Sequence, residues 1–309
     1  MSTPRSIVIP AGVRRTTIRT TTRGDFAAFE AMPPTGVCER RPALLVPGFT
    51  GSKEDFLPIL RQLGAAGRRA VAIDQRGQYE TKGPDDKSAY SLSELAQDLA
   101  AVAAELAQAP SRAPAQGRQG VHLLGHSFGG LVARETVLAG HAPLCSLTLM
   151  SSGPGKLTGT AAGVLEAIHA PFKDLAGPEL RHGIEQLWEL QLAVDARAEG
   201  TPPHIVEFLR NRMLGSSPEG LAVAAELLLS CPDQTDALAD AVGVPILVLY
   251  GEYDDKWETP VQEQMAERLD AQRVCIPGAT HSPAVEAPET TASALTAFWN
   301  RSESTLHRN

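Results

Sequence analysis

Cysteine is scarce in this chain of 309 residues, and the four that occur lie far apart, at positions 38, 145, 231 and 275. No two of them form a C-x-x-C pair. A structural zinc site or a disulfide framework needs closer, patterned spacing, so neither is expected and no metal site is predicted. Cys145 and Cys275 lie in apolar runs and are predicted to be buried thiols of the core.

Clusters of basic residues are also missing. Lys and Arg together number 28, against 36 Asp and Glu, which gives a formal net charge of -8. Binding to nucleic acid depends on clustered Lys and Arg that displace counterions from phosphates, so nucleic acid is not an expected partner. The acidic balance mainly favours solubility.

Long hydrophobic runs do not occur in the sequence either. No segment approaches the ~20 apolar residues of a membrane-spanning helix, so no membrane association is expected. Residues 1–22 alternate apolar and polar side chains and lack the apolar stretch of a secretory signal. A cytoplasmic location is therefore expected, whereas the oligomeric state stays open.

The composition that remains is that of an ordinary globular protein, with 43% hydrophobic and 21% charged residues. Short apolar runs alternate with amphipathic stretches, which is the pattern of βαβ units on a parallel sheet. Six runs are predicted as strands: 43–47, 69–74, 121–125, 146–151, 245–250 and 272–276. Segments 6–10, 16–20 and 25–30 are predicted to add an antiparallel edge.

The strand pattern is interrupted once, in residues 154–235, which contain several helical stretches and no convincing strand. We interpret this part as a helical insertion in an α/β fold. The predicted units are a core made of residues 1–153 and 241–309 and a helical cap of residues 154–240. An Ala-, Pro- and Gln-rich linker is predicted at 109–119.

The sharpest chemical signal is Gly-His-Ser-Phe-Gly at residues 125–129, a G-x-S-x-G between an apolar strand and the start of a helix. A serine on such a sharp turn is lifted clear of the sheet, and the flanking glycines keep the neighbouring backbone from colliding with it. The motif alone arises by chance in many proteins, but the strand before it and the helix after it favour Ser127 as a nucleophile. The competing interpretation is a Gly-rich turn that binds phosphate or nothing.

Serine is a weak nucleophile unless a base removes its proton, and the base needs an acid to orient it. His281 lies in a loop directly after a late predicted strand, and we predict it to be the base. Asp254 and Asp255 follow the strand that ends at Tyr250, and Asp254 is the favoured acid with Asp255 as the alternative. His126 is predicted to be a supporting residue, because neighbours on a tight turn point apart.

A serine that attacks a carbonyl also needs backbone donors for the negative oxygen that forms. Phe128 follows the nucleophile directly, and its N–H is one predicted donor. The other is the N–H of Phe49, in the turn after the first clear strand. An ordinary tight turn at Gly48-Phe49 is the competing interpretation.

With these residues in the chain order Ser127, Asp254, His281, the sequence resembles the α/β-hydrolase superfamily, in its serine-nucleophile branch with a helical cap. The likeness covers about residues 25–300. The turn at 47–49 is similar to the family's His-Gly-X turn with proline in place of histidine, and residues 74–77 resemble its D-x-R-G loop. Gln78-Tyr79 departs from the usual continuation to a second glycine. The resemblance implies an eight-stranded, mostly parallel sheet in a three-layer fold, and hydrolysis without any cofactor.

The predicted activity is hydrolysis of a carboxylic ester with a small or medium apolar acyl group, a small-molecule substrate. Apolar cap residues can line a pocket or form the cap's own core, and the second is the usual case: Leu190, Leu192, Phe208, Leu209, Met213 and Leu214. Acidic cap residues can bind an amine or simply face solvent: Glu185, Glu189 and Glu207. Enzyme branches that carry aspartate at the elbow are disfavoured, because this chain has Ser127 there.

Other activities remain open at this point. A carbon–carbon bond hydrolase or lyase would use the same three residues, and a cofactor-free peroxidase or perhydrolase activity is a common side activity on this scaffold. Aminopeptidase branches are possible without a distinctive signal. A non-catalytic receptor that keeps the pocket and binds a ligand is the alternative from another class.

Overall fold

The computed structural model of the chain describes residues 2–37, 39–108, 120–140 and 142–306. Cys38 and the predicted linker at 109–119 lie outside the described residues. Among the described residues, no helix is both long enough and apolar enough to cross a bilayer.

Eight strands form one sheet in the order β1-β2-β4-β3-β5-β6-β7-β8. The strands are β1 Val13–Thr20, β2 Gly24–Ala31, β3 Arg40–Val46, β4 Arg68–Ile73, β5 Val121–His126, β6 Leu144–Met150, β7 Ile246–Gly251 and β8 Gln272–Ile276. β1 and β2 pair antiparallel and β2 joins β4 antiparallel, whereas the other neighbours run parallel. The predicted fold class, with an eight-stranded and mostly parallel sheet, is confirmed.

Helices cover both faces of the sheet, as the near-continuous apolar runs of its central strands require. The helices are α1 Leu57–Ala65, α2 Leu92–Gln108, α3 Phe128–Leu138, α4 Gly159–His169, α5 Gly177–Leu187, α6 Ala193–Ala198, α7 Pro203–Gly215, α8 Pro218–Ser230, α9 Thr235–Ala241, α10 Thr259–Arg268, α11 Pro283–Glu286 and α12 Pro288–Leu306. Leu60 of α1 and Trp299 of α12 belong to the core on one face, and Leu99 of α2, Leu131 of α3 and Met265 of α10 to the core on the other. The result is a three-layer arrangement.

Two sequence expectations are wrong, and both concern the edges of the sheet. Residues 6–10 form no strand, since β1 begins at Val13 and pairs along its whole length with β2. Ile7 packs instead against the apolar cluster of the helical insertion. Cys275 is exposed rather than buried, because β8 is the outer strand and its burial alternates towards the buried Ile276.

Six helices, α4 to α9, lie between β6 and β7, and this stretch of the chain, all of it described, contains no strand. Hydrogen bonds link the beginning of this segment to a residue near its end. Arg134 of α3 donates hydrogen bonds to the carbonyl of Pro154 and, at 3.2 Å, to the Sγ of Cys231. Lys156 N–H also donates to the carbonyl of Cys231. The helices enclose their own apolar cluster, so we propose residues 154–240 as a distinct cap, as the sequence predicts.

Candidate active site

Ser127 lies on the turn between β5 and α3, at the carboxyl end of a central strand of the sheet. Its backbone has φ 54° and ψ -121°, a left-handed conformation that a residue with a side chain adopts only under strain. The N–H of Ser127 donates to the carbonyl of Met150 in β6 at 2.9 Å, which fixes the turn to the neighbouring strand. The surroundings of the turn therefore hold Ser127 in this strained position.

The structure brings Ser127, His281 and Asp254 into one hydrogen-bonded chain. His281 Nε2 lies 3.0 Å from Ser127 Oγ, and His281 Nδ1 lies 2.9 Å from Asp254 Oδ1. A carboxylate only accepts, so Nδ1 carries the proton of neutral His281 and Nε2 is the acceptor facing the serine hydroxyl. Asp255 is elsewhere: its carboxylate is 63% exposed and pairs with Lys256 Nζ. The arrangement can move a proton from serine to imidazole.

Asp254 is held from several sides. Its Oδ1 also accepts the N–H of Lys256 at 3.0 Å, and its Oδ2 accepts from Gln262 Nε2 at 3.0 Å. Burial acts to raise the pKa of Asp254, but the hydrogen bond and charge of His281 outweigh it and hold that pKa below its usual range. The carboxylate is therefore ionised at neutral pH, as stabilisation of an imidazolium requires.

Gln262 is a site residue that sequence reasoning missed. It lies in α10, is fully buried, and donates both to Asp254 and to the carbonyl of Trp257 at 2.7 Å. No short motif contains it. The only available signal was a polar residue placed eight positions after the acid, inside a helix, and glutamine there is usually solvated.

His126 supports the loop that carries His281. Its Nε2 lies 2.8 Å from the carbonyl oxygen of His281, and since that oxygen only accepts, the N–H of His126 donates. Burial, together with the nearby His281, lowers the pKa of His126 to about 3. His126 is therefore neutral at ordinary pH, and its ring holds the backbone of the neighbouring histidine.

The turn at residues 48–51 packs directly against the serine. A Cβ placed on Gly48 would lie 2.8 Å from the Cβ of Ser127, so only glycine fits here. The N–H of Gly51 donates to the carbonyl of Gly48 at 3.1 Å, and Thr50 has a positive φ of 57°. Phe49, whose N–H is a predicted oxyanion donor, is the second residue of this turn, and Phe128 is the first of α3.

Asp74, the acidic residue of the D-x-R-G loop, does not face Ser127. Asp74 accepts from the backbone N–H and the Nζ of Lys53, at 2.8 and 2.7 Å, and all these groups are buried. Tyr79, where the family pattern has glycine, adopts a positive φ of 40°. Its ring lies edge-on to Phe208 of the insertion at 5.8 Å, so the departure from glycine adds a contact between core and insertion.

Most of the cap residues considered as the lining of a pocket belong to the apolar core of the insertion itself. Phe208, Leu209 and Met213 are buried in the insertion's own cluster, whereas Leu190 is 77% exposed. Exposed helix faces carry the acidic candidates: Glu185, Glu189 and Glu207. These side chains are therefore explained without a ligand.

A comparison with protein-family models matches residues 43–294 to the "Alpha/beta hydrolase family". A pimeloyl-[acyl-carrier protein] methyl ester esterase of Edwardsiella ictaluri is 29% identical over 268 residues, covering 84% of this chain and 93% of the relative. A Bacillus subtilis protein provisionally named 2-succinyl-6-hydroxy-2,4-cyclohexadiene-1-carboxylate synthase is 27% identical over 255 residues, covering 78% and 84%. An esterase structure from Thermogutta terrifontis is similar with a TM-score of 0.68 and 24% identity, covering 94% of this chain and 99% of the other. The chain belongs to the alpha/beta hydrolase family of enzymes.

Proposed function

We propose that the protein is a serine hydrolase that cleaves a carboxylic ester through an acyl-enzyme intermediate. The observation that carries this proposal is the hydrogen-bonded chain from Ser127 Oγ through His281 to the buried carboxylate of Asp254. This combination supplies a nucleophile, a base on its proton, and an acid that fixes the base's tautomer.

In the proposed reaction, Ser127 attacks the ester carbonyl while His281 accepts the hydroxyl proton. Asp254 stabilises the imidazolium, and the N–H groups of Phe49 and Phe128 bind the oxyanion. His281 then returns the proton to the leaving alcohol, which departs and leaves the acyl group on Ser127. Water, activated by His281, releases the acid in the same way and restores the serine. The cycle balances without a cofactor.

The ester as substrate is supported by the relative from Edwardsiella ictaluri, which is named as a methyl ester esterase. A small or medium apolar acyl group remains our proposal, and the apolar side chains beside the serine support it. The surroundings of the serine are apolar in part: Phe49 is half-buried between two apolar clusters, and Phe128 and Trp257 are buried.

The test is hydrolysis of p-nitrophenyl esters with graded acyl chains, together with labelling by a fluorophosphonate. Wild type is compared with Ser127→Ala and with Ser304→Ala, a matched change on the exposed surface of α12. We expect chain-length-dependent turnover and labelling in the wild type and in Ser304→Ala. Both should vanish in Ser127→Ala, with turnover falling by about 10⁴-fold or more.

A second candidate is a carbon–carbon bond hydrolase or lyase that uses the same three residues. The relative from Bacillus subtilis, provisionally named as a synthase, favours it. Labelling of Ser127 without turnover of any simple ester would replace ester hydrolysis by this activity. The absence of both signals would leave the non-catalytic receptor as the better explanation.

A further inference from the structure

Two glutamine side chains bind the turn next to Ser127. Gln75 Nε2 donates to the carbonyl of Pro47 at 2.9 Å, and Gln78 Nε2 donates to the carbonyl of Gly48 at 2.9 Å. Both glutamines belong to the loop after β4, and Gln78 directly precedes Tyr79, the residue at which this loop departs from the family pattern. The loop therefore holds consecutive peptide groups of the turn that contains Phe49.

The carbonyl of Gly48 and the N–H of Phe49 belong to the same peptide group. No peptide bond described here is cis, and in a trans peptide the C=O and the N–H point in opposite directions. The Gly48 oxygen accepts from Gln78 and from the N–H of Gly51 at 3.1 Å. Two donors on one side thus determine the direction in which the N–H of Phe49 points on the other.

Gln78 is itself fixed in orientation. Its side-chain Oε1 accepts the backbone N–H of Gln75 at 3.0 Å, and its backbone N–H donates to the backbone carbonyl of Gln75 at 2.9 Å. With its oxygen bound to a donor, the amide nitrogen must be the atom that faces the Gly48 carbonyl. The next residue, Tyr79, donates its N–H to Ser216 Oγ of the insertion at 3.1 Å. The side chain that binds the turn is therefore anchored on both sides.

We propose that Gln78 is a positioning residue of the oxyanion hole, which aims the N–H of Phe49 at the developing oxyanion by binding the carbonyl of the same peptide. It also polarises this N–H, because a hydrogen bond accepted by one end of a peptide strengthens the donor at the other. The inference rests on the proposed function. It deepens that function by assigning a role to the loop after β4, and Gln75 assists through the preceding peptide.

The test compares Gln78→Met with wild type and with Gln264→Met, the same substitution on the exposed face of α10. A donor used only in the transition state raises kcat and leaves substrate binding alone. We expect kcat in Gln78→Met to fall by about 10- to 100-fold, part of the 10²–10³ of a lost oxyanion donor. KM should stay within about threefold, and affinity for a trifluoromethyl ketone analogue should fall by the same factor as kcat/KM.

A merely structural role predicts other results. If Gln78 were only structural, its substitution would raise KM and lower the melting temperature. The affinity for the analogue would then fall by the same factor as the affinity for the substrate. Should Gln78→Met fail to fold, Gln78→Ala removes the amide without placing an apolar chain against the carbonyl. A folded variant of either kind with wild-type kcat and analogue affinity overturns the inference. If wild type neither turns over esters nor reacts with the fluorophosphonate, the proposed function is wrong. If wild type is active and the Gln78 variants are equally active, only the inference on Gln78 is wrong.

Discussion

His126 Nε2 lies 2.8 Å from the backbone carbonyl of His281, so the residue before the proposed nucleophile Ser127 holds the loop of the proposed base. The two rings are 5.1 Å apart, and His126 is buried. Because burial and the nearby His281 lower the pKa of His126 to about 3, this hydrogen bond does not change over the pH range in which the enzyme would be assayed. Neutral His126 therefore helps to set the position of His281 relative to Ser127.

We expect His126→Phe to lower kcat by about 10- to 100-fold, since small displacements of a catalytic group have effects of this size. The substitution keeps an aromatic ring but leaves the His281 carbonyl without its donor. His126→Gln, which can retain an N–H donor, should keep more activity. His182→Phe, on the exposed surface of α5, is the control for the substitution itself. Equal kcat values in His126→Phe and wild type would contradict a positioning role.

Gln262 gives a second prediction, on the other side of His281. Gln262→Met removes the donor to Asp254 Oδ2 while keeping the side-chain length. The carboxylate becomes more basic and holds the proton of His281 more strongly, so the acid limb of the kcat/KM profile should move to higher pH, with kcat lower by about 10-fold. The profile of the matched variant Gln264→Met should equal that of wild type. An unmoved limb with normal kcat would mean that the N–H of Lys256 alone is sufficient.

The pH profile also separates the two glutamines. Gln78 contacts the turn of Phe49 and not the Asp254–His281 pair, so its substitution should lower kcat without moving the acid limb.

Much of the site was predictable because local rules and site chemistry coincide in it. A strand, a turn that needs glycine and a helix must follow one another around Ser127, and residues that are adjacent in the sequence show this order. The choice between Asp254 and Asp255 was open, because both follow the same strand. The structure places Asp254 against His281 and Asp255 in solvent, which depends on how the loop turns towards α10.

The rest depended on contacts between distant parts of the chain. Gln78 reaches Gly48 across 30 residues, and Gln262 reaches Asp254 from inside a helix; neither leaves a periodic or motif signal. Cys275 was misplaced because an apolar run does not reveal which strand lies at the edge of a sheet. Residues 6–10 alternate like a strand, but Ile7 finds its apolar partners in the insertion.

A buried ion pair between core and insertion gives a third prediction. Arg212 of α7 donates to Asp55 Oδ1 at 2.9 Å, and both side chains are almost completely buried. Arg212→Met leaves an unpaired buried carboxylate and should lower the free energy of unfolding by about 3–5 kcal/mol. Arg210→Met, on the same helix, breaks only the exposed pair with Glu189 and should cost about 1 kcal/mol or less.

The pairing is measured by a double-mutant cycle in urea. Burial acts to raise the pKa of Asp55, so its charge is costly inside the protein, and each single change leaves one buried partner without the compensating group. Asp55→Asn combined with Arg212→Met should therefore be more stable than the sum of the single changes predicts. Additive effects would show that the two side chains act independently.

The last prediction concerns stability against pH, through the buried His122 at the other end of β5. His122 Nδ1 lies 2.7 Å from Ser146 Oγ, and His122 Nε2 lies 3.0 Å from Glu303 Oε1 in α12. Burial lowers the pKa of His122 from 6.5 to about 4, although Glu303 acts in the opposite direction. Burial acts to raise the pKa of Glu303, but the hydrogen bond from His122 and the guanidinium of Arg68 outweigh it and hold that pKa at about 2.

Both folded pKa values are lower than the unfolded ones, so each group stabilises the fold above its unfolded pKa and loses this effect as the pH falls. For His122 the loss runs from pH 6.5 to about 4 and amounts to about 3 kcal/mol, while Glu303 loses its effect only between 4.5 and about 2. Urea midpoints at pH 7, 5.5 and 4 should fall steeply in wild type. In His122→Gln the slope should be smaller by the contribution of one proton. The slope that remains includes His126, whose pKa is also lowered, and the opposite effect of Asp74, whose pKa burial raises to about 7. Equal slopes in the two proteins would show that His122 is not the group that titrates.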